Sequence, residues 1–156
     1  MIFNIFFIIL LTCALILSVL ISIADFRRRI IPDAYLFPLM LIGLAIVGFY
    51  SYPINIQTAT IGAIFGYLLS SIVGFTFDYF MRKRDSNIIS PIGMGDIKLI
   101  GVGGLWLGVN GLAYALIIAC VVGAIWARIQ KQKYVPFAPF FLFGGILSFI
   151  GLYFLL

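Results

Sequence analysis

The chain has 156 residues, 64% of them hydrophobic and only 10% charged, with a mean hydropathy of +1.23. This composition excludes a soluble globular domain and indicates a polytopic membrane protein. The formal charge of +5 does not signal nucleic acid, because the basic residues sit in short clusters between apolar runs and form no basic helix or aromatic-basic surface. Basic clusters beside apolar runs are topology signals.

Residues 2–24 carry no charge and are long enough to span a bilayer. They have no basic start and no small-residue cleavage site, and further apolar runs follow, so they read as a transmembrane helix rather than a signal peptide. Residues 34–50 form a shorter run that stops near Tyr50, Ser51, Tyr52 and Pro53. Residues 54–77 form the next span, which stops before Asp78 and the cluster Arg82, Lys83 and Arg84. The run 99–127 has 29 uncharged residues. As one straight helix it would measure roughly 43 Å, against a hydrocarbon core of about 30 Å. Two short helices, 99–109 and 112–127, turning near Leu107–Gly111, are the alternative. Residues 134–156 make the last span.

Charge decides between these options. With the turn, all ten basic residues fall on one face of the membrane. Without it, Arg128, Lys131 and Lys133 change sides. The positive-inside rule therefore predicts an all-α protein with six transmembrane helices, one membrane-embedded domain over 1–156, both ends outside and the basic loops in the cytoplasm. Gly101, Gly103, Gly104 and Gly108 would let the short helix pack closely on a neighbour.

Cys13 and Cys120 both fall within apolar runs, far from any CxxC pattern, and read as small buried packing residues rather than a zinc site or a disulfide. The chain has no histidine and no glutamate, which excludes HExxH zinc sites and Ser-His-Asp or Cys-His catalysis. Acid–base chemistry would then fall to aspartate. Asp78 and Asp85 flank the second basic cluster and read as charge compensation in a solvated loop. Asp25 ends the first span, and Asp96 opens the fourth at the same membrane boundary. Two carboxylates meeting there cannot both ionise cheaply and would share one proton. The ionised member can take a proton from water while the protonated member polarises a peptide carbonyl.

The neighbouring residues fit such a site. Gly93 and Gly95 permit close backbone approach to a substrate or unusual backbone conformations. Lys98 can reach to the interface or hold a nearby negative charge. Asp33, after Pro32, starts or caps the second helix. A plainer reading stands beside this one. Asp25 would then mark a helix boundary and balance Arg27, Arg28 and Arg29, and Gly93–Asp96 would be a glycine-rich helix entry.

Three stretches together resemble the type IV prepilin peptidases, aspartic membrane proteases of the GxGD kind. They are DFRRRIIPD at 25–33, GMGDIKL at 93–99 and VPFAPFFLFGG at 135–145, where Ala138 replaces the family's usual glycine. The resemblance implies the GxGD-type protease architecture, with Asp25 and Asp96 as the catalytic pair. It also implies supporting roles for Pro32, Asp33, Gly93, Gly95, Lys98, Pro136 and Pro139. No cofactor or metal is implied.

The implied reaction is removal of the basic leader of type IV prepilins or pseudopilins, after a glycine, at the cytoplasmic face of the cell inner membrane. The implied partners are those substrates, membrane lipids, and pilus or secretion-system assembly proteins, with no nucleic acid. Because no paired cysteines are present, the chain resembles the short, peptidase-only form without the zinc-binding and methylating part, the form that often serves Flp-type pili. Archaeal preflagellin peptidases share the same dyad. The competing class is a noncatalytic membrane subunit of a transporter or secretion complex, in which aspartates mark ion contacts or helix packing and tolerate exchange for amides.

Overall fold

The computed structural model describes residues 5–51, 53–84, 92–131 and 135–155. Asp85 and Lys133, assigned above to basic loops, lie outside the described residues. The described chain forms five helices: α1 (Ile5–Arg28), α2 (Asp33–Tyr50), α3 (Ile56–Arg84), α4 (Met94–Gln130) and α5 (Phe137–Leu155). Helix is the natural choice here, because in hydrocarbon each backbone N–H and C=O must find its partner within the segment. Large apolar side chains such as Phe49, Ile72 and Phe75 point outward, as lipid-facing residues do.

Local chemistry sets the helix ends. α1 stops at Arg29, which takes a left-handed conformation (φ 56°), three residues before Pro32. Pro32 stands in extended conformation as the residue before α2, and Asp33 opens that helix without capping it through its side chain. α3 runs beyond the expected limit at residue 77, through the basic cluster to Arg84. There Asp78 pairs with Arg82 one turn on, at 2.9 Å. This compensation happens on a helix, not in a loop.

α4 breaks at Gly108, whose φ of 66° and ψ of −177° are open to glycine and strained for other residues. The backbone folds back at this point. Ile100 and Leu112 both border Gly66 of α3, though a straight helix would hold them roughly 18 Å apart. Both ends of α4 consequently lie at the C-terminal end of α1. Gly95 packs against Ile31, and Trp126 meets the edge of Phe26 with ring centres 5.9 Å apart.

The turn expected within 107–111 is thus present, but the expectation of six spans is corrected. Among the described residues, four helices are long and apolar enough to cross a membrane: Ile5–Arg28, Asp33–Tyr50, Ile56–Lys83 and Met94–Gln130. Phe137–Gly151 is a shorter apolar helix. The reason is length. The arm from Met94 to Leu107 would reach roughly 21 Å, short of a core of about 30 Å, so 99–109 does not make a span of its own. The cysteines are corrected too, since Cys13 and Cys120 are both exposed.

Small residues hold the helices together. Gly62 of α3 and Gly104 of α4 meet backbone to backbone, and Gly144 of α5 lies on the backbone of Ala115. Ser148 adds a hydrogen bond from α5 to the carbonyl of Gly111, at 2.8 Å. Ile21, Leu36, Ile46, Leu99 and Leu112 are fully buried. A side chain at Gly104 would meet the carbonyl of Gly62, which cannot swing away. Gly104→Leu is expected to cost about 3 kcal/mol or more, the upper end of what overpacking a core typically costs. Gly48→Leu, where nothing lies within 4 Å, is expected to be near neutral. Thermal unfolding of both purified variants checks the contrast.

Candidate active site

Helix α5 begins with unpaired amides. The first donors of any helix lack intrahelical partners, and Pro139 in the first turn has no N–H to offer. The donors of Phe137 and Ala138 remain. Asp25, in the last turns of α1, answers them: its Oδ2 accepts the Ala138 N–H at 2.8 Å, and the Phe137 amide also faces this carboxylate. Asp25 is only 5% exposed, and the charge of Arg29 acts on it. Buried Pro136 fixes the entry of the chain into α5. The carboxylate of one helix therefore caps another, on the side where the helix dipole favours negative charge.

Asp96 stands at a second helix start. Gly93 precedes α4 in extended conformation, and Asp96, in the first turn, accepts the Gly93 N–H through Oδ2 at 3.2 Å. A Cβ at Gly93 would sit 3.3 Å from this same oxygen, so glycine leaves the carboxylate room. Asp25 and Asp96 lie close enough for their charges to interact. Both are anchored by backbone amides at a helix N-terminus.

The remaining expected residues gather at this end. Lys98 donates to both oxygens of Asp33, at 2.7 and 2.9 Å, with its ammonium 5.9 Å from the centre of the Phe37 ring. Of the two readings for Lys98, holding a negative charge is the one observed. Gly95 serves contact between chain segments: a Cβ there would stand 2.9 Å from that of Ile31. Asp78 takes no part in these contacts and pairs with Arg82 on the surface of α3. Sequence reasoning missed the amide of Ala138 as the partner of Asp25. The available signal was Pro136 and Pro139 flanking a helix start, which leaves few amides there and makes a partner for them necessary.

A profile of the type IV leader peptidase family matches residues 8–128. The chain is 33% identical over 140 residues to a prepilin leader peptidase/N-methyltransferase of Burkholderia pseudomallei, covering 85% of this chain and 42% of that protein. It is 29% identical over 149 residues to one of Pectobacterium carotovorum, covering 91% and 50%. With one of Xanthomonas campestris the identity is 28% over 148 residues, covering 90% and 48%. The chain thus spans half or less of the length of these relatives. No solved structure matches it.

Capping by Asp25 generates a test that is independent of activity. Asp25→Ala leaves two amides at the start of α5 without their acceptor and is expected to cost about 1–2 kcal/mol. Asp25→Asn keeps a carbonyl acceptor and is expected to cost less than half as much. Both changes remove the same charge, so the difference in their unfolding midpoints reads the loss of the acceptor and its volume rather than the loss of charge.

Proposed function

Because the chain belongs to the type IV leader peptidase family, we propose that it is a membrane aspartic endopeptidase that removes the leader peptide of type IV prepilins or pseudopilins. The observation that carries this reading is the nearness of Asp25 and Asp96. Two aspartates on different helices stand within reach of each other's charge at one end of an apolar bundle. An arrangement of like charges is costly, and its chemical use is a pair that shares one proton.

In the proposed reaction, the ionised carboxylate takes a proton from water as that water attacks the scissile carbonyl. The protonated carboxylate polarises the carbonyl. A proton then passes to the amine as it leaves. The amides of Phe137 and Ala138 hold Asp25, and that of Gly93 holds Asp96, so neither group must reorganise during the reaction. Asp33 and Lys98 are partly exposed beside the pair, which supports a site that water can reach.

The end that carries the aspartates also carries Arg27 and Arg28 of α1, Lys98, and Arg128 and Lys131 from the far end of α4. Arg82 and Lys83 join them, because Gly74 of α3 lies level with Ile97 and the basic cluster follows it. By the positive-inside rule this end faces the cytoplasm, and the membrane is the inner membrane. Prepilin or pseudopilin substrates and lipids are the proposed partners. The methyl-transfer activity in the relatives' names is not assigned to these helices.

The test is cleavage of a full-length prepilin by the wild type, Asp25→Asn and Asp96→Asn in lipid, followed by sequencing of the new amino terminus. The wild type is expected to cut after the leader, and each variant to lose about 1,000-fold or more in rate while remaining folded, since an amide cannot take the proton from water. Cleavage that persists in either variant removes that residue from the pair. Modest loss on amide exchange would instead favour a noncatalytic subunit.

A further inference from the structure

Asp25 and Asp96 sit on helices whose backbones do not approach one another closely. Among the described residues, no Cα of α1 comes within 8 Å of a Cα of α4. What lies between them is an apolar cavity of about 310 Å³, with Ala14 and Ser18 of α1 on one side and Leu99, Val102 and Trp106 of α4 on the other. The edge contact of Phe26 on Trp126 joins α1 to the far arm of α4, not to the arm that bears Asp96. Close backbone packing of α1 on the arm that bears Asp96 therefore does not set the spacing of the carboxylates.

The body of α2 packs on both helices, and two further connections reach the carboxylates themselves. One runs from Asp25 through Ala138 into α5, which packs along α4. The other runs from α1 through the short turn 29–32 to the start of α4. It consists of two contacts. Ile31 lies against Gly95, the residue before Asp96, and Asp33 holds Lys98, two residues after Asp96. Asp96 is bracketed by them.

We propose that the Asp33–Lys98 ion pair, with the Ile31–Gly95 contact, is a clasp that fixes the distance between Asp25 and Asp96, which makes Asp33 and Lys98 positioning residues. Their catalytic consequence rests on the peptidase reading above; the clasp itself does not. The side chains of Lys98 and Asp33 are 37% and 48% exposed, and exposed ion pairs contribute little to stability. Their importance lies in geometry. One ammonium stands against both carboxylate oxygens at once, which sets the distance between the two side chains. A misplacement of about 1 Å at a reacting group can cost about 100-fold in rate. The pair is therefore expected to matter far more to turnover than to folding.

The experiment compares the wild type with Asp33→Asn, Lys98→Met and the swapped pair Asp33→Lys/Lys98→Asp, all in the same lipid. Steady-state cleavage of a full-length prepilin gives kcat and KM, and deuterium uptake over residues 26–37 and 92–100 reads the clasp without substrate. Each single variant is expected to lose about tenfold or more in kcat with KM within about twofold. Uptake over both segments is expected to rise, and the unfolding midpoint to stay near that of the wild type. The swapped pair is expected to recover most of the lost kcat and the slow uptake.

Single variants with unchanged kcat and uptake overturn the proposal. So does a loss confined to KM, which would make the pair a substrate contact, and so does a swapped pair no better than the singles. The two readings fail separately. A wild type that cuts no prepilin sinks the peptidase reading, and uptake still decides the clasp. Equal kcat and equal uptake in all four proteins sink the clasp alone.

Discussion

The amides at the start of a helix have no partner within that helix, and a bundle buried in apolar surroundings cannot leave them to water. This constraint governs the whole end of the molecule where the aspartates lie. α5 starts beside α1, and its Phe137 and Ala138 donors need an acceptor. Asp25 fills that need from inside α1, at 5% exposure. A buried carboxylate is costly unless hydrogen bonds compensate it, and a buried helix start is costly unless an acceptor does. Each resolves the other's cost. Removing either would leave the second unsatisfied, so the position of Asp25 is tied to the docking of α5.

The same constraint explains why α4 is built as it is. Asp96 must stand at a helix start to receive the Gly93 amide, and that start must lie at the end of the bundle where α5 begins. α4 reaches both places by reversing at Gly108 and returning its far end to Phe26 and Phe140 through Trp126. Reversal leaves a short arm that cannot bury much on its own. Glycines at 101, 103 and 104 compensate by letting it lie directly on Tyr67, Phe141 and the backbone of Gly62. Close packing here draws on dispersion and backbone contact, because lipid offers no hydrophobic drive between helices.

Much of this was legible in the sequence. Uncharged runs gave the helices, and the length of 99–127 against a bilayer gave the break near Gly108. The acids stood out because the chain has so few. Other features needed the structure, for physical reasons. Span limits drawn from charge stopped at residue 77, but a helix with an Asp78–Arg82 pair on its surface continues past the charges. Counting each arm of 99–127 as a span assumed that a turn implies two crossings, and the first arm is too short for that. The cysteines read as buried because their runs are apolar, yet in a membrane protein apolar positions face lipid as often as the core. Gly95 read as permitting close backbone approach or an unusual conformation, and its contact with Ile31 could be seen only in the structure. Partners such as Ala138 for Asp25 are separated by more than a hundred residues, and no local pattern encodes them.

Exposure changes sharply at this end. Asp25 is nearly sealed, while Asp33 and Lys98 stand partly in solvent. A peptidase site of the kind proposed would need such a gradient, since charge interactions strengthen where water is scarce and the reactant is supplied where it is not. The gradient also separates two requirements. Burial of Asp25 on α5 bears on folding, and in the proposed clasp the exposed pair bears on alignment, where rate is sensitive and stability is not. A membrane chain with only five acids can devote some of them to each requirement, and the division follows their depth.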